Sequence, residues 1–527
     1  MIGPVDLRPD YLETVHRILA EYAPNAPVQV FGSRANWTAK PYSDLDLILR
    51  VGRLAPDDAA LPELSDAFSE SELPFKVDLI LDTGKPSDFL SLVQGGAVPL
   101  PWPTTPLGAL VPDDRSICYG VVQPGSPDPM GRPILRVNNF DSNGLNVASA
   151  MRISPDVEDQ YRRSRLQGGE LLVTLVGSVG LTAIAPPELE GWNVARAVGV
   201  VPLAADVDAR WVNHMMRSGA VRAFMAMRSN TTVQTTFNLK DLAEIPIPMP
   251  PDRIRRPMSE LLSALDDKIE LNRRINETLE ASARALFRDW FVDFGPTRAK
   301  AEGRPAYFAP DLWSHFPDRL GDDGVPEGWE TFTVDALADQ HTASINPALS
   351  SQEVFEHYSL PAFDSGASPA LDTGSAIKSN KTIVPGGAVL LSKLNPEISR
   401  VWMTNDRDAL RQIASTEFLA FTPKAFASRS LIFALFRDDA FRQIMEGMVT
   451  GTSKSHQRIS PPGLRNVEAL VGSTAVFAEF DRVVAPMVEA ILYNRAEVCT
   501  LSATRDALLP KLMSGELRVR DAEALVA

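Results

Sequence analysis

Apolar positions in two stretches of this chain recur in steps of three and four. One seam runs Leu262, Leu265, Ile269, Asn272, Asn276, Leu279, Ala283, Leu286, Trp290. The other runs Val484, Met487, Ile491, Asn494, Val498, Leu501, Arg505, Leu508, Leu512. This period belongs to helices that pack along one edge, and it predicts two long helices pairing as a coiled coil. Each seam carries Asn at its fourth position, Asn272 and Asn494. A buried Asn lowers stability but selects a register, because it must find a polar partner. One helix written twice predicts a pseudo-two-fold molecule.

Other patterns surround the helices. Residues 9–24 read as a helix with Pro at its start, followed by short β-branched strands in VQVFGS, DLDLILRV and FKVDLILD, with a helix before the last. That alternation predicts a small α/β domain over residues 1–97. VPLPWPTTP, residues 98–106, reads as a stiff proline-rich linker without regular structure. Mixed segments at 107–251 and 326–473 each precede a long helix, at 252–295 and 474–517, with a charged linker at 296–325. Pro257 is expected in the first turn of its helix. LQGGELLVTLVGSVG (166–180) matches VPGGAVLLSKLNPEI (384–398), each a Gly-Gly turn into an apolar strand. TTVQTTFNLKDLAEIPIP (231–248) matches GTSKSHQRISPPGLRNVEAL (451–470), each a Ser/Thr-rich loop leading to a strand. The repeating unit is therefore a globular domain plus a long helix, and the fold class is α+β multidomain.

Composition narrows this picture only slightly. A length of 527 residues implies several domains, and no apolar run is long enough to span a membrane. The N-terminus lacks a secretory pattern and there are two cysteines, Cys118 and Cys499, so cytoplasm is the expected compartment. The net charge of −15 argues against a simple nucleic-acid binder. The charge is uneven, with 8 Lys and Arg against 15 Asp and Glu in residues 1–100, leaving 44 against 52 in the rest. Local basic grooves remain possible.

The repeated half resembles the DNA-specificity subunit of type I restriction-modification enzymes, over about 107–517. The resemblance rests on LQGGELLVTLVGSVG, TTVQTTFNLKDLAEIPIPMPP, LDDKIELNRRINETLEASARALFRDWF with its exit VDFGPTRAKAEG, PEGWETF and ALLPKLMSGELRV. It implies two target-recognition domains, each mixed α/β, reading the halves of a bipartite sequence in double-stranded DNA. It also implies paired helices that set the spacing and dock methyltransferase subunits, with a restriction/translocase subunit as a further partner. Polar side chains on loops of a rigid scaffold suit base and phosphate contacts, so Thr231, Thr232, Gln234, Thr452, Lys454 and Arg458 are candidate DNA-binding residues. Nothing resembles a methyltransferase cofactor loop, a helicase P-loop or a nuclease carboxylate cluster.

The acidic N-terminal segment carries a second constellation: Phe31-Gly32-Ser33-Arg34-Ala35, Ser43-Asp44-Leu45-Asp46-Leu47 and Lys76-Val77-Asp78-Leu79. Strand alternation predicts Asp44 and Asp46 on one face, with Leu45 and Leu47 turned to the core. Asp78 on the next strand could join them. Clustered carboxylates repel unless a cation is present, which points to Mg²⁺, and a Gly-Ser turn suits triphosphate oxygens. Two metal-bound carboxylates with a third as base suit attack on an α-phosphate. The pattern resembles minimal nucleotidyltransferases of the polymerase-β superfamily, over about 10–97. That resemblance implies Gly32 and Ser33 as nucleotide-binding, Asp44 and Asp46 as metal-binding and catalytic, and Asp78 as the third member. The expected cofactors are Mg²⁺ and a nucleoside triphosphate, with ATP the first choice, and none for the specificity half. Asn36-Trp37 departs from the small or basic residues and Gly usual there. An alternative reading makes the chain a nucleotidyltransferase of antitoxin type that modifies a protein or RNA, with the repeat as scaffold.

Overall fold

The computed structural model describes residues 5–23, 26–50, 60–83, 88–141, 144–147, 150–231, 235–364, 366–404, 406, 410–449, 457–514, 516–517 and 519–526. The chain divides into two compact units. One is Met1–Asp267 with Leu501–Ala527, and the other is Lys268–Thr500.

The first unit begins with helix α1 (Pro9–Tyr22), strand β1 (Val28–Phe31), the one-turn helix α2 (Gly32–Ala35), and strand β2 (Leu45–Arg50). Helix α3 (Ala60–Ser69), strand β3 (Val77–Asp82), helix α4 (Asp88–Gln94) and strand β4 (Val98–Pro99) follow. The sheet order is β3-β2-β1-β4, with β2 parallel to β3 and β1 antiparallel to both its neighbours. Alternation on β2 turns Leu45, Leu47 and Leu49 into a core shared with Leu12, Val15, Ile18 and Leu19 of α1. The residues between them face the other way, as the pleat requires.

Residues 98–106 are not the irregular linker expected. Val98–Pro99 pairs with β1, and Thr104–Pro106 pairs antiparallel with Pro246–Pro248. Both lie at sheet edges, where a proline's missing donor breaks no ladder bond. The N-terminal domain also bonds to the rest of this unit. His16 Nε2 lies 2.7 Å from the Pro101 carbonyl, and its ring stacks 4.8 Å from that of Trp102. Trp102 Nε1 donates to the Met513 carbonyl at 2.9 Å, and the Arg253 guanidinium donates to the Ala20 carbonyl. A cavity of about 440 Å³ remains at this junction, with Leu19, Ile254, Met258 and Leu512 among its walls.

The duplication holds at the level of strand order. The first globular segment has an antiparallel sheet in the order Thr182–Ile184, Leu171–Thr174, Val198–Val201, Cys118–Tyr119. The second repeats it as Val401–Met403, Val389–Ser392, Phe418–Pro423, Ala338–His341. Each sheet is followed by two helices, Ala209–Met216 and Gly219–Arg228 in one, Arg429–Arg437 and Asp439–Gly447 in the other. Each segment then closes with a two-stranded pairing, Pro246–Pro248 on Thr104–Pro106 and Glu468–Gly472 on Glu330–Thr333. The copies diverge in their second sheets, which among the described residues have three strands in the first and five in the second.

The long helices span Asp252–Phe291 and Thr474–Met513, 40 residues each, and the boundary between the units passes through both. Pro257 lies inside the first, beyond its opening turn, because helical backbone begins at Asp252. It therefore removes the bond that its N–H would have made to Arg253. Within the second unit the helices run antiparallel: Asn272 faces Glu497, Asn276 faces Asn494, and Phe287 faces Phe480. The two fourth-position asparagines are thus not each other's partners. Asn494 Nδ2 donates to Asn276 Oδ1 at 2.9 Å, and Asn272 Nδ2 donates to Glu497 Oε2 at 2.6 Å. Glu280 binds Arg495 on the facing helix and Arg437 of the globular segment, both at 2.8 Å. The segment 296–325, expected as a linker, holds helices Gly295–Ala301 and Pro310–Trp313. It also gives Phe308 and Phe316 to an aromatic cluster around the fully buried Trp290.

In the first unit the seam contains a buried charge cluster. Asp266 accepts from Arg505 at 2.5 Å and Arg217 at 3.2 Å, with His214 Nδ1 at 3.6 Å. Among the described residues no helix is long and apolar enough to cross a membrane.

Candidate functional site

The N-terminal carboxylates are positioned by β2 and β3. Register pairs Asp46 with Asp78 across the parallel strands and Asp46 with Phe31 across the antiparallel pair. Register partners project from the same face, so Asp46 and Asp78 stand side by side above the sheet. Asp44 is not on the strand as alternation predicted. It lies in the exposed approach to β2, whose first residue is Leu45. The reason is the turn before it, where Ser43 N bonds the Lys40 carbonyl at 2.9 Å and Lys40 N bonds Ser43 Oγ at 2.9 Å.

Gly32 follows β1 directly and adopts a φ of +73°, a conformation that costs a glycine little. A Cβ there would collide with the Asp46 carboxylate. Gly32 and the Asp46 side chain are therefore closely packed, which sequence spacing alone does not show. Burial raises the Asp46 pKa from its ordinary value, and the neighbouring Asp78 and Asp44 add to the rise. Such mutual repulsion favours a cation beside the group.

Two cations of the chain already answer it. Lys76 Nζ lies 2.5 Å from Asp78 Oδ1, with both side chains well exposed. Arg34 is buried, with its guanidinium 4.0 Å from the Phe75 ring centroid. It donates to the Ser43 carbonyl through Nε (3.1 Å) and Nη2 (2.7 Å), and to the Asp6 carbonyl through Nη1 (2.9 Å). Arg34 thus pins the residue next to Asp44. Sequence reasoning assigned no role to Arg34 or Lys76, although both stand within the motifs it singled out. Among the described residues no three His, Cys, Asp or Glu side chains are gathered as a metal cluster. With Asp78 turned to Lys76, a divalent ion would have to displace that ammonium. The donor chemistry fits Mg²⁺, since all three groups are hard carboxylate oxygens.

Two of the candidate DNA-binding residues, Thr231 and Arg458, fall on described structure. Asn230–Thr231 and Thr235–Thr236 form a hairpin, and Val176 bridges Thr236. In the second copy Leu394 bridges Arg458 in the corresponding way. Thr232, Gln234, Thr452 and Lys454 lie outside the described residues, as does the side chain of Thr231. Arg458 makes a two-point contact with Glu417, both bonds at 3.0 Å. To grip a phosphate it would have to exchange that carboxylate.

Comparison with known proteins adds to this geometry. Residues 129–281 match the family model "Type I restriction modification DNA specificity domain". The chain is 29% identical over 188 residues to the EcoBI specificity subunit of Escherichia coli, covering 34% of this chain and 39% of that protein. It is 26% identical over 371 residues to the MjaIX specificity subunit of Methanocaldococcus jannaschii, covering 67% and 78%. A 90-residue stretch is 38% identical to the probable protein adenylyltransferase MntA of Haemophilus influenzae, 17% of this chain and 78% of that protein. Among solved structures, the type I restriction-modification S subunit of M. genitalium aligns over 78% of this chain and 96% of its own, with a TM-score of 0.42 and 12% identity.

Proposed function

We propose that this chain, whose residues 129–281 match the type I restriction-modification DNA specificity domain and which holds a stretch similar to MntA, is a DNA sequence-specificity subunit fused to a nucleotidyltransferase. The observation that carries the first part is the repeated strand order, each copy ending in a long helix. Two similar but diverged readers on paired helices suit a bipartite, asymmetric target with halves about one turn of duplex apart. The loops closed by Val176–Thr236 and Leu394–Arg458 are the proposed reading elements. Methylation and cleavage belong to partner subunits, and methyltransferase subunits dock on the helices. The acidic balance supports weak DNA affinity for the chain alone, because phosphate neutralisation dominates binding.

The test is co-expression with the methyltransferase subunits of a type I system, followed by sequencing of methylated positions. A split motif with a fixed spacer supports the reading. Assembly that yields no preferred sequence overturns it.

For the N-terminal domain, Gly32 and Ser33 would face triphosphate oxygens, and Asp44, Asp46 and Asp78 would hold Mg²⁺. The ion would supply charge neutralisation at the α-phosphate. Asp78, once parted from Lys76, would accept the proton of an acceptor hydroxyl on protein or RNA. Replacing Asp44 and Asp46 with Ala should abolish labelling from α-labelled ATP and leave target methylation intact. Labelling that persists in the double variant removes these residues from the chemistry. The antitoxin-type reading gains no separate support, since the stretches related to specificity subunits cover most of the chain.

A further inference from the structure

We propose that Trp37 is the platform on which the nucleotide base stacks, which would make it a specificity-determining residue. This rests on the nucleotidyltransferase reading of the Gly32–Asp78 site. Trp37 adopts a φ of +57°, one of four non-glycine residues with positive φ among the described residues. A bulky side chain is costly there, and such outliers concentrate at ligand-binding positions. The turn around it is firmly closed. Asn36 N bonds the Gly32 carbonyl at 3.2 Å, Thr38 N bonds the Ser33 carbonyl at 2.9 Å, and Thr38 Oγ1 reaches the same carbonyl at 3.4 Å. Yet the residue is 41% exposed, which leaves part of the indole open to solvent. Trp37 stands five positions after Gly32, on a turn whose flanking residues Asn36 and Thr38 bond back to the Gly32 and Ser33 carbonyls. That spacing suits triphosphate oxygens at Gly32 and Ser33 with the base beyond them. An exposed aromatic face accepts any base, and it holds the larger purine ring system more strongly.

The test is calorimetric binding of α,β-methylene-ATP with Mg²⁺ to the full chain, compared with Trp37→Ala, Trp37→Phe and Trp37→Gly. The methylene bridge keeps the transfer step out of the measurement. Trp37→Ala and Trp37→Gly should weaken binding by roughly 5- to 100-fold, the range for loss of one base–aromatic stack. Trp37→Phe should restore most of it, and the wild type should bind the cytidine analogue several-fold less well than the adenine one. Trp37→Gly also relieves the left-handed backbone, so a variant that melts higher while binding worse separates recognition from folding. Equal or tighter binding by the Ala and Gly variants overturns the platform and leaves the nucleotide site standing. No binding by any form, wild type included, overturns the nucleotidyltransferase reading and the platform with it.

Discussion

Single residues carry sharp physical commitments in this chain. At Gly32 a side chain would meet both an unfavourable φ of +73° and the Asp46 carboxylate. Gly32→Ala should therefore lower the stability of the N-terminal domain by about 1–3 kcal/mol, the cost typical of a strained backbone position. It should also displace Asp46 and weaken nucleotide binding. A calorimetric melt paired with the ATP titration would show both effects, and an unchanged melt would mean the turn relaxes freely. His214 makes a different commitment. Burial lowers its pKa from 6.5 to about 4, with Arg217 and Arg505 lowering it further and Asp266 opposing. The unfolded chain then binds the proton more readily, so its contribution is complete above pH 6.5. It is lost as pH falls toward 4, by about 3 kcal/mol in all. Asp266, whose pKa is lowered, acts in a separate window below 3.8. His16 is also lowered by burial and adds in the same direction as His214. Denaturant midpoints for wild type and His214→Gln between pH 7 and pH 4 should converge as pH falls. Parallel curves would contradict the neutral, buried histidine.

The helix pair depends on its polar contacts as much as on its apolar seam. Glu280 holds two guanidiniums, those of Arg495 and Arg437, with its own side chain largely buried. Glu280→Ala leaves both cations without that carboxylate and should cost about 3–5 kcal/mol, the usual penalty for breaking a buried pair. Urea melts of the two forms would measure it. Asn276 and Asn494 bind each other across the same seam. Replacing both with Leu would add apolar burial while removing a device that selects one register. At this scale the sequence was legible in part. Seam residues such as Leu262, Ile269, Ala283, Val484, Ile491 and Leu512 are all buried as their spacing indicates. Antiparallel pairing, and hence which Asn meets which, was not legible, because a heptad seam is the same read in either direction.

For the whole molecule the expectation is a spacer whose length sets the target. Matched seven-residue insertions after Leu279 and after Tyr493 keep the seam in phase and add about 10 Å to the helix pair. In the assembled methyltransferase the accepted spacer should grow by about three base pairs at roughly 3.4 Å each. Methylome sequencing reads this directly, and an unchanged motif would show that the helices do not measure the gap. The N-terminal domain belongs to the same scale. Trp102, reaching Met513, ties that domain to the end of the second long helix, within one compact unit.

The amino-acid order alone determined the repeated helix, the duplicated Gly-Gly strand and polar loop, and the Gly32, Asp46 and Asp78 motif with its core leucines. These are local patterns with fixed periods, so each can be read from spacing. Three things waited for tertiary structure: Asp46 beside Asp78, Arg34 folded back onto Ser43, and residues 98–106 drawn into two sheets. Strand register, the reach of a long side chain and edge pairing join residues far apart in sequence. No periodicity records such partners, and the free energy of the closed structure selects them.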